Sequence, residues 1–448
     1  MRIVIIGAGV GGCASYLFLR KHLDTSTHTI HLYEAYPNPL TTSTVIGGGL
    51  GLAPNGLRTL SLLSDALPSR IAALGFEAPV AEFRTGPKDA SLGTFNMGSK
   101  ERYGWANLSV QRAAVHECVL EEAVKADEGK GGMVFGRRVA KLESVGLDGA
   151  TKITFEDGSE EEADLVIGAD GLRSKVRDYV VGEHVEPEYY GLCGIGGFVP
   201  LHFIEPYILH TSSPLVMTWG STGFFGFSPV GTGRASLPSP SSPPQPKAMW
   251  WSIYASDTPP ARTASTPLSI KAQLQRRFAG YEGAVPRIIN ALCTDEPGVS
   301  DVLVLPRYKL PNYLAKWHRA DGGAVLVGDA AHVAPPESGQ GVSFAVEDAA
   351  AFAMLLAHHL ARRPDDEKDA LRRAAGDYSA LRKPRVETTI TAAMKRIANK
   401  TEMSWFQRWL RDWIVWIMCR ITPDSSNDRV FAYKVEEAVQ EYLKARGA

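Results

Sequence analysis

The first 34 residues predict a strand, a glycine-rich turn, a helix and a second strand, and this order restricts the fold more than any other feature of the chain. Residues 2–6 read RIVII, a short apolar run rich in β-branched residues that is typical of a fully buried parallel strand. Gly7, Gly9 and Gly12 follow with G-x-G-x-x-G spacing, and apolar residues then recur at helical intervals up to a second strand, TIHLYE, which ends at Glu34. Two strands joined by a helix in this way indicate the α/β class.

Each part of this unit is suited to holding the diphosphate of a dinucleotide. The first glycine permits the tight turn, the second lets the backbone approach a diphosphate, and the third lets the helix pack closely on the strand. The helix N-terminus offers unpaired amides and a positive dipole end to phosphate. Glu34 lies 22 residues after Gly12, where its carboxylate can accept hydrogen bonds from an adenosine ribose, which favours FAD or NAD over NADP. The alternative is a glycine turn with a purely structural role.

Composition argues against several classes of protein. The 448 residues carry Lys+Arg 48 against Asp+Glu 49, and this balance argues against nucleic-acid binding, which needs a clustered basic surface. We find no run of about 18 apolar residues and therefore expect no membrane-spanning helix. Five dispersed cysteines without metal-ligand spacing, and an N-terminus that begins a strand at once, favour a reducing, cytoplasmic location.

Two further segments place polar residues near the beginnings of predicted helices. Residues 107–124 have a helical apolar stripe with Ser109 as the expected N-cap and Arg112 in the first turn, where an arginine is either a solvated surface residue or a ligand contact. Residues 163–177 contain a buried strand followed by Asp170-Gly171, and the simplest interpretation is a strand-to-helix turn capped by the aspartate.

The segment 324–350 combines a strand that ends at Gly328-Asp329, a proline-containing loop and a helix that opens at Gly339-Gln340-Gly341. A carboxylate at a strand end and a glycine-rich helix N-terminus are both well placed to hold polar groups of a ligand. His332, just beyond the aspartate, is interpreted as a structural hydrogen-bonding residue rather than as an acid or base.

In this order and combination, the four segments resemble the single-component FAD-dependent aromatic monooxygenases of the p-hydroxybenzoate hydroxylase type. Members carry an N-terminal G-x-G-x-x-G with a downstream Glu, a helix with an Arg in its first turn, a middle Asp-Gly turn and a GD…P…GQG segment. The resemblance covers residues 1 to about 385, including GGGLGLAPNG at 47–56. The chain departs from the family at 41–44, where many members have an Arg, and at 337–338, where many have a further glycine.

The resemblance implies a role towards FAD for each of these positions. Glu34 would bind the adenosine ribose, Arg112 the diphosphate and ribityl region, and Asp329 the ribityl hydroxyls, while Gly48 would line the flavin with its backbone. Amides at the opening of the last helix would face the pyrimidine edge of the flavin, where a helix N-terminus stabilises the negative charge of the reduced ring. The cofactor-binding residues predicted in this way are Gly7, Gly9, Gly12, Glu34, Gly48, Arg112, Asp329, Gly339, Gln340, Gly341 and Val342.

Two positions in these motifs are assigned less directly by the resemblance. Asp170-Gly171 is associated in the family with contacts to both FAD and NADPH. Pro335-Pro336 would cover the site of oxygen transfer.

We therefore expect an α/β fold in which a Rossmann-like FAD-binding domain is interleaved with a mixed-sheet substrate domain and followed by C-terminal helices. The FAD-binding domain would comprise 1–75, 102–182 and 298–365. The substrate domain would comprise 76–101 and 183–297, with a Pro/Ser-rich insertion at 237–247, and the C-terminal helical region 366–448.

Aromatic residues are concentrated in the predicted strands of the substrate domain, where they serve either as sheet-packing residues or as a pocket for a flat ligand. We expect one face of the sheet to carry Trp219, Phe224, Phe225, Phe227, Trp250, Trp251 and Tyr254. The polar residues that could activate a phenolic ring are Tyr189, Tyr190, His210 and Tyr254. The sequence identifies no catalytic residue among them.

Residues 402–421 contain four tryptophans, of which Trp405, Trp409 and Trp413 repeat at helical intervals. The favoured interpretation is a helix packed over the substrate domain or against a partner. The alternative is an interfacial helix in peripheral contact with a membrane. The segment is too short and too charged to span a bilayer, and no motif specifies an oligomeric state.

The resemblance implies an enzyme that hydroxylates or epoxidises a small aromatic or polycyclic molecule. Tightly bound FAD would be reduced by NAD(P)H and would react with molecular oxygen to give a flavin C4a-hydroperoxide. NAD(P)H would bind transiently, because the G-x-G-x-x-G spacing occurs only once in the chain. The alternatives are a flavin-dependent halogenase, although the W-x-W-x-I-P segment of that group is absent, a reductase of the same fold, or a non-enzymatic flavoprotein.

Overall fold

The computed structural model describes residues 1–38, 48–145, 150–208, 214–219, 223–231, 246–260, 266–300, 302–311, 314–397 and 404–447. Its strands are β1 (Arg2–Ile6), β2 (Thr29–Glu34), β3 (Gly49–Leu52), β4 (Phe76–Glu77), β5 (Val80–Thr85), β6 (Ser91–Asn96), β7 (Leu108–Gln111), β8 (Met133–Phe135), β9 (Val139–Val145), β10 (Ala150–Phe155), β11 (Glu160–Ala163), β12 (Leu165–Gly168), β13 (Glu188–Pro200), β14 (Leu215–Trp219), β15 (Phe224–Pro229), β16 (Lys247–Ala255), β17 (Leu303–Lys309) and β18 (Ala324–Leu326). Its α-helices are α1 (Val10–His22), α2 (Pro54–Ser61), α3 (Ala66–Leu74), α4 (Lys100–Tyr103), α5 (Arg112–Asp127), α6 (Lys175–Val181), α7 (Glu205–Ile208), α8 (Pro267–Arg277), α9 (Ala284–Ala291), α10 (Gly341–Arg362), α11 (Glu367–Ile397), α12 (Trp405–Ile421), α13 (Asp428–Phe431) and α14 (Val435–Ala445). Residues 41–44, His210 and most of the stretch 237–247 lie outside the described residues.

Five parallel strands form the sheet that positions the glycine turn, in the order β18-β12-β1-β2-β8. The central strand β1 pairs in parallel with β12 and β2, and four of its five residues are buried. A strand covered on both faces needs apolar side chains at every position, which explains the continuous run RIVII. The strands predicted from RIVII and TIHLYE are confirmed, with the second ending at Glu34. Because the strands are parallel, the turns after β1, β2, β12 and β18 all meet at one edge of the sheet.

Helix α10 lies at the centre of the fold, where it packs against α1, α2, α11 and α14. It is long and apolar enough to cross a membrane by length and composition alone, but 67% of its most apolar window is buried inside the fold. Its apolar side chains therefore belong to the core that holds the parallel sheet and the C-terminal helices together.

A second, seven-stranded sheet has the order β17-β13-β16-β15-β14-β5-β6 and is antiparallel except between β14 and β5. The predicted α/β fold with a second, mixed sheet and C-terminal helices is confirmed. The domain boundaries remain a prediction. Strand β17 pairs within the seven-stranded sheet, although it lies inside the range 298–365 assigned to the FAD-binding domain.

The aromatic residues of this sheet divide between its two faces, so the expectation of one aromatic face is wrong. Phe225, Phe227 and Trp250 pack with α8 and α9 in a buried core. Phe224 and Trp251 lie on the opposite face, where Trp219 packs beside them. The reason is the two-residue period of a strand, which turns the adjacent residues 250 and 251 to opposite faces.

The segment 107–124 contains a strand before its helix, so the expectation that Ser109 is an N-cap is wrong. Ser109 lies in β7, which pairs antiparallel with β3, and its hydroxyl is 2.8 Å from the hydroxyl of Ser228. Helix α5 begins only at Arg112. Val110 fits a helical stripe with Ala113 and Ala114, but it also alternates with the buried Leu108 at period two, which is the pattern of a strand.

Candidate functional site

The glycine turn at the carboxyl end of β1 packs so closely against neighbouring backbone that Gly7 and Gly12 have no room for a side chain. Gly7 has a φ of +102°, and a Cβ there would lie 2.6 Å from the carbonyl oxygen of Ala169. A Cβ on Gly12 would lie 1.8 Å from the carbonyl oxygen of Gly7, so α1 can approach β1 this closely only with glycine. A Cβ on Gly9 would meet nothing within 4 Å. The backbone of Gly9, which is the N-cap of α1, therefore borders open space.

Glu34 is tied directly to this turn. Its Oε2 accepts a hydrogen bond from the amide of Ala8 at 2.7 Å, and its Oε1 accepts one from the amide of Tyr36 at 3.0 Å. A carboxylate has about four lone-pair sites, so Glu34 can still accept bonds from a ligand. His116, from α5, lies on the other side of the turn with its Nε2 2.6 Å from the carbonyl oxygen of Ala8. Burial lowers the pKa of His116, which favours a neutral ring that donates this bond. The sequence analysis did not identify His116.

The next residues along the cleft are Gly48, Arg112 and Asp329. The amide of Arg112 donates to the carbonyl oxygen of Gly48 at 2.9 Å, where β3 meets β7, and the Arg112 side chain is exposed. Asp329 follows β18 and is open to solvent. The surrounding protein raises the pKa of Asp329, while the positive charges of Arg112, His332 and Arg177 oppose that rise. A carboxylate that is both accessible and partly desolvated is typical of the wall of a deep cleft.

The opening of α10 adjoins the glycine turn. A Cβ on Gly11 would lie 3.3 Å from the Cβ of Ala345, and a Cβ on Gly328 would lie 3.0 Å from the same atom. Gly339 and Gly341, by contrast, would carry a Cβ into open space. These contacts place the glycine turn, Glu34, Gly48 with Arg112, and the opening of α10 around one region between β1, α5 and α10, which we call the cofactor cleft; the roles of these residues towards FAD remain a prediction.

Two buried carboxylates that the sequence analysis did not identify hold the opening of α10 in place. Glu347 accepts a hydrogen bond from Asn55 Nδ2 at 2.7 Å, and the same nitrogen donates to Oε1 of Gln340 at 2.9 Å. Arg385 donates to both carboxylate oxygens of Glu347 at 3.0 Å. Glu347 is fully buried. The sequence signal for this supporting role is the pair of acids inside an otherwise apolar helix, because a buried charge requires a partner.

The second carboxylate, Asp348, connects α10 to the turn that follows β18. Its Oδ2 accepts from His332 Nε2 at 2.6 Å and from the amide of Gly328 at 3.0 Å, and its Oδ1 accepts from Arg382 Nε at 2.9 Å. Burial alone would raise the pKa of Asp348, but the charges of His332 and Arg382 and their hydrogen bonds hold it below its usual range. The structural role expected of His332 is confirmed by these contacts.

Asp170 caps the start of α6, as the simplest interpretation of its sequence predicts, together with the N-cap residue Ser174, whose hydroxyl accepts from the amide of Arg177. Its carboxylate accepts from the amides of Lys175 at 2.8 Å and Val176 at 3.2 Å. Arg177, which the sequence did not single out, is buried and joins two turns of the sheet edge. It donates to the carbonyl oxygens of Leu172 at 2.6 Å and Ala330 at 3.3 Å.

A cavity of about 280 Å³ lies beside the cofactor cleft and reaches the proline loop. Its walls are mainly apolar and aromatic, and they include Tyr190, Tyr308, Trp317, Pro335, Ile390 and Met394. Pro335 is buried, whereas Pro336 is exposed and begins a 3₁₀ turn, Pro336–Ser338.

Of the polar residues proposed for ring activation, Tyr190 is the one that lines this cavity. Its hydroxyl is buried and has no hydrogen-bond partner among the described residues. Burial, reinforced by Glu337 and opposed by Arg307, raises the pKa of Tyr190, so the phenol remains a hydrogen-bond donor at neutral pH. The hydroxyl of Tyr189 instead donates to the carbonyl oxygen of Ser256 at 2.9 Å, and Tyr254 packs on the helix-covered face of the sheet.

Comparisons with known proteins agree with this arrangement. The family profile described as FAD binding domain matches residues 261–393. A salicylate hydroxylase of Pseudomonas putida is 30% identical over 409 residues, which cover 86% of this chain and 82% of the relative. The 3-amino-4-hydroxybenzoate 2-monooxygenase of Streptomyces cremeus is 29% identical over 405 residues, which cover 89% of this chain and 86% of the relative. Among solved structures, Klebsiella pneumoniae HpxO with FAD and uric acid shares the fold, with a TM-score of 0.72 and 24% identity over 99% of this chain and 97% of that chain.

Proposed function

Because this chain belongs to the family of FAD-dependent aromatic monooxygenases, we propose that it uses NAD(P)H and molecular oxygen to hydroxylate or epoxidise a small aromatic or polycyclic molecule. The observation that carries this proposal is the position of the aromatic-lined cavity, which meets the proline loop next to the cofactor cleft. Flat, mainly apolar walls that include the buried Tyr190 hydroxyl and the ring of His332 suit an aromatic ring that carries a polar substituent.

The residues of the cofactor cleft fit FAD. Gly9 leaves its backbone open to a diphosphate at the positive end of α1, and Glu34 retains acceptor capacity for ribose hydroxyls. Asp329 presents an accessible acceptor to a ribityl chain, and Arg112 supplies the nearby positive charge. When bound, FAD supplies the redox chemistry that activates oxygen.

The chain itself contributes positioning, electrostatic stabilisation and exclusion of water. The N-terminus of α10, fixed through Gln340 and Asn55, directs a positive dipole end into the cleft, where it stabilises negative charge. The apolar walls of the cavity keep water from the reacting ring. Tyr190, as a neutral donor, orients an oxygen substituent of the substrate. NAD(P)H binds only transiently, because one dinucleotide fold serves FAD.

The activity can be tested with the purified flavin-loaded protein. We expect the oxidation of NADPH or NADH to be stimulated by members of a panel of hydroxylated and carboxylated aromatics, with an oxygen atom from labelled O₂ appearing in the product. If no aromatic stimulates oxidation and no oxygen is transferred, the proposal is wrong. Transfer of halide instead of oxygen would support the halogenase alternative.

Glu34→Ala is expected to weaken FAD binding by about tenfold or more, because it removes charge-assisted hydrogen bonds that are each worth about 1.5–3 kcal/mol. The dissociation constant is measured by titrating the apoprotein with FAD and following flavin fluorescence. Glu77→Ala is the matched control, since Glu77 is an exposed carboxylate on the short strand β4. Equal FAD affinity in the two variants would contradict the role of Glu34.

Tyr190→Phe is expected to raise the KM for the preferred aromatic about tenfold while FAD binding is unchanged, because the variant keeps the ring and loses only the unpartnered hydroxyl. Tyr189→Phe is the control, since the adjacent hydroxyl is already bonded to the carbonyl oxygen of Ser256. The measurement is the substrate dependence of NAD(P)H oxidation. A larger KM change in Tyr189→Phe than in Tyr190→Phe would contradict the orienting role of Tyr190.

A further inference from the structure

Helix α12 presents a wide apolar surface to solvent. The residues that form this outward face are Trp405, Phe406, Trp409, Leu410, Trp413, Ile414, Trp416, Ile417, Met418 and Ile421. Their exposed fractions run from 38% for Trp416 to 71% for Trp405 and Ile421, and α12 contains no buried residue. At about 100° per residue they span roughly 220°, or about three fifths of the helix circumference. The helix lies over strand β6 of the substrate domain, as the favoured interpretation predicts, but its apolar face is turned to solvent.

The opposite side of α12 rests on the edge of the seven-stranded sheet, and that side is largely polar. Strand β6 lies under the C-terminal half of the helix, where Arg420 Nη1 donates to the carbonyl oxygen of Leu92 at 3.2 Å. Arg411 and Asp412 form an ion pair at 2.7 Å on the half-buried side, and the Arg411 guanidinium lies 5.9 Å from the ring of Trp219. An ordinary surface helix buries its apolar stripe and exposes its polar one. Here the order is reversed, which points to an apolar environment outside the protein.

We propose that the outward face of α12 docks on the surface of a phospholipid bilayer. The helix begins with a capping box at Ser404 and Gln407, so it is a defined element that needs no membrane to form. Its 17 residues span about 25 Å, and it would lie in the plane of the interface rather than cross it.

The aromatic composition favours a lipid interface over a dry contact with another protein. The rings of Trp409, Trp413 and Trp416 follow one another with centroids 6.1 Å and 5.4 Å apart, so the indoles form a continuous stripe. A dry protein contact would bury indole N–H donors, and each would need a partner on the other surface. At the headgroup level of a bilayer, water and lipid carbonyls satisfy these donors, which is why tryptophan is enriched there.

The charges of α12 also suit a phospholipid surface. The helix carries Arg408, Arg411 and Arg420 against a single acid, Asp412, which is paired with Arg411 on the side towards the protein. Arg420 is exposed and lies over the ring of Trp416, with its guanidinium 3.7 Å from the ring centroid. This exposed guanidinium beside the indoles can pair with a lipid phosphate while the indoles enter the interface.

The test uses the full-length flavin-loaded protein and sedimentation with vesicles of phosphatidylcholine alone or mixed with phosphatidylserine. We expect binding to both, tighter with phosphatidylserine and weakened by salt, and a blue shift of tryptophan fluorescence on binding. Trp409→Glu/Trp413→Glu should lower the partition coefficient by about tenfold or more. Trp405→Glu/Ile421→Glu should do the same, and these two residues, each 71% exposed, contribute least to the fold. The control is Leu268→Glu on α8, an apolar residue that is 70% exposed and should bind as the wild type does.

Three results would overturn the proposal. The first is a wild-type protein that sediments with neither kind of vesicle. The second is binding that both double variants retain at the wild-type level. The third is a vesicle-free dimer that Trp405→Glu/Ile421→Glu converts to a monomer, because the outward face would then be covered by a second copy of the chain.

Discussion

Gly12→Ala is expected to yield protein without bound FAD and with reduced stability, whereas Gly9→Ala should bind FAD weakly but remain as stable as the wild-type apoprotein. The Gly12 methyl group would lie 1.8 Å from the carbonyl oxygen of Gly7, so either the start of α1 or the turn must move. Overpacking of this kind costs typically about 1–3 kcal/mol, and the atom in the way here is backbone. Gly9 has φ −67° and ψ 177°, which any residue adopts, and its Cβ would meet no protein atom within 4 Å.

The pair of variants separates a glycine needed by the fold from a glycine needed by the ligand. Thermal unfolding of the apoprotein should show a loss for Gly12→Ala and none for Gly9→Ala. Flavin absorbance per mole of protein after purification should fall in both. If Gly9→Ala retains FAD at the wild-type affinity, no diphosphate approaches that backbone and our placement of the cofactor is wrong. Equal apoprotein stability of the two variants would instead contradict the close packing of α1 on β1.

The sequence predicted the parts of the fold in which a single local pattern decides the outcome. RIVII is typical of a strand buried on both faces, and the glycine spacing after it favours a tight turn into a helix. The position of Glu34 at the end of β2 follows from strand length alone. Because parallel strands share one carboxyl edge, three of the four motifs converge there without any knowledge of the intervening loops, whereas the Arg112 motif follows β7 of a separate sheet.

The expectations that failed are those in which two periodicities compete or in which a partner lies far away in sequence. Val110 fits a helical stripe with Ala113 and Ala114 and also a strand with Leu108, and pairing with β3 decides for the strand. The aromatic residues at 250 and 251 look alike in sequence, but α8 and α9 cover only one of them. Asn55 and Glu347 are 292 positions apart, and although the acid pair in an apolar helix signals that Glu347 needs a partner, nothing local identifies Asn55 as that partner.

Replacement of Arg382 by leucine is expected to lower the free energy of unfolding by about 3–5 kcal/mol at neutral pH. This is the usual cost of removing one partner of a buried ion pair. Arg382 is fully buried, with its Nη1 2.7 Å from Glu347 and its Nε 2.9 Å from Asp348, and both acids are fully buried as well. The variant would leave Glu347 with the ion pair to Arg385, and Asp348 with the hydrogen bonds to His332 and the amide of Gly328. Lys383→Leu is the control on the same helix, because Lys383 is partly exposed and its ion pair with Glu387 spans 3.8 Å.

The pH dependence gives this prediction a second, independent readout. Although burial opposes them, the arginine and histidine charges hold the pKa values of Glu347 and Asp348 below their usual range in the wild type. Their contribution to stability is therefore present above the unfolded-state pKa of about 4 and is lost as pH falls through the folded-state values. Without Arg382, burial raises the pKa values of Glu347 and Asp348. Mild acid therefore protonates these carboxylates in the variant and removes their destabilising charge, at a pH where they are still ionised in the wild type. The difference in melting temperature between wild type and Arg382→Leu should thus be largest at pH about 7 and smaller at pH about 5. A difference that is the same at both pH values, or no larger than that of Lys383→Leu, would show that the pairs with Arg382 do not stabilise the support of α10.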